Sequence, residues 1–150
     1  MKIPGLTLLS ILLLLTTPLF SQRIFIGNEE TNRKLLWSDF KGAIDRNSPH
    51  HASTSWEVEY RMQEVKLQQE LVNTDGLEVS VKMDPRRSWC IPDKTNDALL
   101  RHEQLHFDIG MLCMYEFIRT VQQTVFHRKD FDRKLKQIFG EVLQKYHDIN

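Results

Sequence analysis

The sequence predicts an α+β domain, in which a small antiparallel sheet is followed by a long helix and a second, C-terminal helix. Two observations predict this class. Between residues 56 and 83 apolar residues alternate with polar ones, and after Pro92 they recur at helical spacing instead. Because the strands come first and the helices after, we expect the helices to pack on one face of the sheet.

The first 21 residues have the features of a secretory signal peptide, so the domain itself is predicted to cover residues 22–150. A basic start, an apolar stretch over residues 6–15 and a cleavage site after Ser21 make up the pattern. We therefore predict export to the periplasm or the extracellular space, with no stable membrane span after cleavage. Retention of the apolar segment as a signal anchor is the alternative.

The sheet is predicted from period-two patterns that begin at Trp56. The predicted strands cover residues 56–62, 65–71 and 77–83. Asn73-Thr74-Asp75-Gly76 predicts a tight turn before the last strand, since these residue types tolerate turn geometry. Upstream of Trp56 the chain is loop-rich, and Trp37 and Phe40 are interpreted as packing anchors.

Two helices are predicted after the sheet, the first from about Ala98 to Val125. Its N-cap is predicted among Thr95, Asn96 and Asp97. A break at residues 127–130 precedes the second helix, with Asp130 as the expected cap.

The first helix carries the motif H-E-Q-L-H, which contains His102, Glu103 and His106. At 100° per residue the two histidines lie about 40° apart and one turn along, so both imidazoles can reach one ion. Glu103 lies on their flank, where its carboxylate can reach a water molecule beside that ion. The motif therefore predicts a zinc site, with two imidazole ligands and Glu103 as the catalytic base of a zincin-like peptidase.

A catalytic zinc ion also requires a third protein ligand. Helix geometry excludes Asp108, which faces away from the pair, and Cys113, which lies about 10 Å further along the helix. Among residues outside the helix, His127 ranks first because the chain can turn back after the helix ends. The alternatives are His147, Asp148 and the His50-His51 pair.

Three segments resemble a bacterial exported family catalogued as domain of unknown function 922, whose members are predicted zinc-dependent proteases. These are L-L-R-H-E-Q-L-H-F-D-I at residues 99–109, L-W-S-D-F-K-G at 36–42 with A-S-T-S after it, and Ser88-Trp89. The resemblance implies zinc ligation by His102 and His106, catalysis by Glu103, and a structural turn at Asp39.

Two departures from the family pattern stand out. Gly110-Met111 replaces a commonly acidic position, and family chains tend to continue to a Thr-x-His-Gly segment whose His is a further candidate ligand. Since this sequence ends at Asn150, we expect a shortened member or a truncated reading of a longer one. The alternative to a peptidase is therefore a non-catalytic exported domain that retains the metal-site helix without a complete third ligand.

The balanced charge of the chain limits the kinds of partner that we expect. Twenty basic and twenty acidic residues give no net charge, which argues against a nucleic-acid partner. The expected partner is a peptide or protein substrate, which the edge strand at residues 77–83 could hold by strand addition.

Cys90 and Cys113 are either bridged after export or free buried thiols, and the sequence is compatible with both.

Overall fold

The computed structural model describes residues 21–150 and confirms the α+β class. The strands are β1 (Ser21–Ile26), β2 (Glu29–Glu30), β3 (Ala52–Ser53), β4 (Trp56–Met62), β5 (Lys66–Gln68), β6 (Leu71–Asn73), β7 (Leu77–Met83) and β8 (Trp89–Cys90). The helices are α1 (Asp97–Gln122) and α2 (Phe131–Ile149). The predicted signal peptide lies outside the described residues, apart from Ser21.

The main sheet has the strand order β2-β1-β7-β4. β4 and β7, both predicted as strands from their alternating patterns, pair antiparallel, from Trp56 opposite Met83 to Met62 opposite Leu77. On its other side β7 pairs in parallel with β1, which makes the sheet mixed. The prediction of loops upstream of Trp56 missed β1, because this six-residue strand begins at the last residue of the signal-like segment.

Strand β7 is the centre of the sheet and not its edge, so the predicted peptide-binding role of residues 77–83 is wrong. Its backbone groups are already paired on both sides. The predicted strand over residues 65–71 is also corrected. That segment forms β5 and β6, a separate two-stranded hairpin.

One face of the sheet packs against the two helices and forms the core. Along β7 the apolar side chains Leu77, Val79, Val81 and Met83 are each at most 1% exposed. They pack with the buried face of α1, which includes Phe107, Met114, Phe117 and Val121. Burial of this apolar surface is the main source of stability, and it fixes α1 against the sheet.

The N-terminus of α1, where the H-E-x-x-H motif lies, is held by a side-chain cap. Asn96 is the N-cap residue, and its Oδ1 accepts a hydrogen bond of 2.9 Å from the N–H of Leu99. The helix ends at Gln122, three residues before the predicted end. Asp130 occupies the N-cap position of α2, but its side chain makes no capping hydrogen bond.

Helix α2 packs along α1 and brings its C-terminal end to the motif. Glu116 of α1 accepts hydrogen bonds of 2.7 Å from both Lys145 Nζ and Tyr146 Oη. Burial, together with the hydrogen bond to Glu116, raises the pKa of Tyr146 to about 12, so the phenol stays a donor at neutral pH. At the next residue, the imidazole of His147 stacks on Trp56, with ring centroids 4.9 Å apart.

Both cysteines are free thiols, Cys113 buried in α1 and Cys90 half-buried in β8. Burial raises the pKa of Cys113 to about 11, which keeps it protonated and unreactive. Across residues 21–150, no helix has the length and apolar character that crossing a bilayer requires.

Candidate metal centre

His102 and His106 lie at the start of α1 with their rings turned toward each other. Their Nε2 atoms are 3.1 Å apart, and the ring planes are nearly perpendicular. Two imidazole ligands of one tetrahedral zinc ion have nitrogens about 3.3–3.4 Å apart, given Zn–N bonds of about 2.0–2.1 Å. The observed separation is also that of a hydrogen bond between the rings, and a small outward shift of either ring would bring it to the spacing of two ligands of one ion.

The hydrogen bonds around Asn150 determine the tautomer of His106. Oδ1 of Asn150 lies 3.3 Å from Nε1 of Trp56 and 3.0 Å from Nδ1 of His106. Because an indole N–H can only donate, Oδ1 is the acceptor, and Nδ1 of His106 must carry the hydrogen that it shares with Oδ1. In neutral His106 the lone pair is then on Nε2, which faces His102. A histidine that binds a metal through Nε2 usually has its Nδ1–H held in this way.

Glu103 is buried between the helix and β3, with only 2% of its surface exposed. Its Oε2 accepts a hydrogen bond of 2.6 Å from Oγ1 of Thr54, a residue that is itself 7% exposed. Oε1 has no hydrogen-bond partner within residues 21–150. Asp130 Oδ1 is the one fully buried side-chain nitrogen or oxygen atom there that lacks a partner, so Oε1 of Glu103 is not sealed off.

A cavity of about 620 Å³ opens above these three residues. The helix contributes Leu99, His102, Glu103 and His106 to its lining, and the segment from Pro49 to Thr54 contributes the opposite wall. Asn150 lies at its margin. The volume lies within the range of small-molecule and cofactor sites.

The candidate third ligands outside α1 differ in whether they lie near His102 and His106. His50 and His51 line the same cavity, and both are exposed. His127 follows the far end of α1, where it forms a β-bridge with Leu71, and Gln122 already lies about 24 Å beyond His106 along the helix. The structure therefore does not bring His127 to the pair.

The two candidate ligands near the end of α2 make contacts with other residues. The ring of His147 stacks on Trp56, and Asp148 accepts a hydrogen bond from Gln144. Within the part of the chain that the structure describes, no three His, Cys, Asp or Glu side chains are already gathered as a complete ligand set.

Sequence reasoning missed Thr54 and Asn150 as parts of this site. Thr54 lies in the A-S-T-S segment that resembled the family, but nothing in that segment indicates a contact with a residue 49 positions away. Asn150 reaches His106 only because α2 folds back along α1.

A family model described as "Bacterial protein of unknown function (DUF922)" matches residues 33–150. The chain belongs to this family. The match includes α1 with its H-E-x-x-H motif, the Thr54 segment and Asn150. Searches of curated proteins and of solved structures gave no significant match.

Two of the short motifs in the DUF922 region have structural roles. Asp39 is 7% exposed and receives a forked ion pair from Arg33 together with the N–H of Leu36, so it closes a structural turn, as expected. Ser88 is fully buried, and its Oγ accepts a hydrogen bond of 2.9 Å from the N–H of Ser55. Ser88 thereby anchors the chain directly after Thr54.

Proposed function

We propose that this chain is an exported zinc-dependent peptidase, in which His102 and His106 bind the ion and Glu103 is the general base. The observation that carries the proposal is the 3.1 Å separation of the two Nε2 atoms above a buried glutamate. The side chains fit zinc in chemistry as well as in spacing, since Zn²⁺ prefers neutral imidazole nitrogens. Export rests on the signal-like first 21 residues.

The chemistry follows from the positions of the two glutamate oxygens. A bound zinc ion would polarise a substrate carbonyl and lower the pKa of a water molecule beside it. Oε1 of Glu103, which Thr54 leaves free, takes the proton from that water as it attacks the carbonyl carbon. Glu103 then delivers the proton to the leaving amine nitrogen, so the carboxylate is regenerated.

The loop that carries His50 and His51 is the best source of the third ligand. Both residues line the cavity that contains the pair, and a rotation of either exposed side chain needs no rearrangement of the core. His50 or His51 therefore takes the place of His127 as the proposed third ligand, because the fold holds His127 at the other end of α1.

Strand β3 favours an extended peptide as the substrate. The N–H of Ile91 donates to the carbonyl of His51, and Ala52 lies opposite Cys90, so residues 51 and 53 direct their backbone groups toward β8. Ala52 and Thr54 direct theirs away from it, and β3 has no second partner strand in the described chain. A peptide added along this edge would lie in the cavity beside Glu103.

The test is hydrolysis of fluorescently labelled casein by the zinc-loaded protein, comparing wild type with Glu103→Ala. We expect wild type to cleave casein and Glu103→Ala to bind zinc without cleaving. Glu141→Ala is the matched control, because Glu141 is an exposed glutamate of α2 that bonds only to Gln137. Full activity in zinc-loaded Glu103→Ala would contradict the mechanism, and zinc binding without hydrolysis in wild type would favour the non-catalytic alternative.

A further inference from the structure

We infer that Thr54 is a positioning residue for the general base, and this inference rests on the proposed function of Glu103. Thr54 belongs to the wall of the cavity, whereas Glu103 belongs to α1, so their hydrogen bond joins two independent elements. At 2.6 Å it is short, as expected for a hydroxyl that donates to a carboxylate. An ionised carboxylate only accepts hydrogen bonds, so the hydrogen belongs to Thr54.

The backbone on both sides of Thr54 is fixed by hydrogen bonds. On one side the carbonyl of His51 accepts from Ile91, at 2.8 Å. On the other side the N–H of Ser55 donates to Ser88 Oγ at 2.9 Å, and the carbonyl of Ser55 accepts from Asp84, at 2.9 Å. The hydroxyl of Thr54 is therefore a stationary donor that does not move with the helix.

A stationary donor selects one rotamer of Glu103. A glutamate has three rotatable side-chain bonds, and a buried one with a single fixed contact keeps the conformer that makes it. Here that contact occupies Oε2 and leaves Oε1 without a partner and not sealed off, in a residue that lines the cavity. Thr54 therefore sets which oxygen meets the reacting water. The hydroxyl of Thr54 is already bonded to Glu103, so the side chain affects the reaction through that residue.

The test compares three variants of the full domain. Thr54→Val keeps the shape of the side chain and removes the hydroxyl, Thr54→Ser keeps the hydroxyl, and Thr120→Val removes a hydroxyl that bonds only to the backbone of Glu116. The assay uses a fluorogenic peptide built on the site that wild type selects in casein, with kcat, KM and zinc content measured for each protein.

We expect Thr54→Val to lower kcat by about 10- to 100-fold, with KM changed less than about threefold and zinc content unchanged. Thr54→Ser should restore most of the lost kcat, and Thr120→Val should equal wild type. A wild-type kcat in Thr54→Val would overturn the inference, and so would a loss that Thr54→Ser does not restore.

A second measurement keeps the inference testable if wild type cleaves no peptide, an outcome that would contradict the proposed function by itself. Crystal structures of wild type and Thr54→Val would be compared at Glu103. We expect the carboxylate to leave its wild-type position, or to occupy two conformers, in Thr54→Val only. An unchanged, singly occupied conformer would overturn the positioning role.

Discussion

Gly110 of α1 lies directly against the indole ring of Trp56. A Cβ placed on Gly110 would lie 2.8 Å from Cδ2 of Trp56, closer than any ordinary contact. The space beside Gly110 is therefore filled by the indole ring. The same ring stacks on His147 and donates a hydrogen bond to Asn150, so the contact with Gly110 lies next to the candidate metal centre.

Replacing Gly110 by Ala should therefore destabilise the protein. The added methyl group must displace an aromatic ring that is 6% exposed, and we expect the free energy of unfolding to fall by about 1–3 kcal/mol. Gly140→Ala is the matched control, since a Cβ there meets no atom within 4 Å. In the interior of α2 that change should raise stability by about 0.5–1 kcal/mol. Urea denaturation of the three proteins measures both, and equal stability of Gly110→Ala and wild type would contradict the contact.

The carboxamide of Asn150 should contribute to zinc affinity. Without Oδ1, Nδ1 of His106 loses its acceptor and the ring is free to turn, so we expect Asn150→Ala to weaken zinc binding by about 10- to 100-fold. Competition with a chromophoric chelator measures the affinity. Asp148→Ala is the control, because Asp148 lies on the same turn and bonds to Gln144 instead. Equal affinities for Asn150→Ala and wild type would show that the hydrogen bond does not orient His106.

The loop before β3 should provide the third zinc ligand. We expect either His50→Ala or His51→Ala to lower zinc affinity markedly, because one imidazole of three is removed. The same chelator competition would be applied to His127→Ala, which should bind zinc as wild type does, since His127 lies beyond the far end of α1. Loss of zinc from His127→Ala, with retention by the His50/His51 double variant, would reverse this assignment.

The turn at Asp39 should make stability depend on pH. Burial alone would raise the pKa of Asp39, but hydrogen bonds from Arg33 and from the Leu36 N–H outweigh it and hold the pKa below its ordinary value of 3.8. A carboxyl whose pKa is lower in the folded protein stabilises it above the unfolded pKa, and this contribution is lost as pH falls through the folded pKa.

We therefore expect Asp39→Asn to be less stable than wild type at neutral pH, by about 1.5–3 kcal/mol. The difference should shrink below about pH 4, where wild-type Asp39 begins to protonate in the unfolded chain. Thermal unfolding of both proteins between pH 3 and pH 7 measures it. Glu30→Gln breaks the exposed ion pair with Arg23 and should have a much smaller effect. A difference that is constant with pH would exclude the carboxylate as its source.

The regular patterns of the sequence predicted the elements that bury a continuous face. Residues 56–62 and 77–83 alternate because each strand has one buried face, and α1 was predicted to begin within one residue of its actual start. β1 was missed because its six residues form no pattern separable from the signal-like segment. The position of β7 at the centre of the sheet depended on that missed strand.

Only the part of the candidate site that lies within one helix could be predicted from the sequence. His102, Glu103 and His106 share one helix, so helical geometry alone brings them together. Thr54 and Asn150 reach them through the pairing of β3 with β8 and the packing of α2 on α1, and such long-range contacts cannot be inferred from spacing. His127 ranked first among the third ligands because the break after α1 allows the chain to turn back, and the sequence does not show which way it turns.

Anomalous X-ray scattering at the zinc absorption edge, from crystals of the zinc-loaded protein, is the most direct test of the proposed metal centre. We expect one peak at about 2.0–2.1 Å from Nε2 of both His102 and His106, on the cavity side of Glu103. A zinc-loaded crystal with no peak between these two nitrogens, or with zinc held only by other residues, would contradict the account.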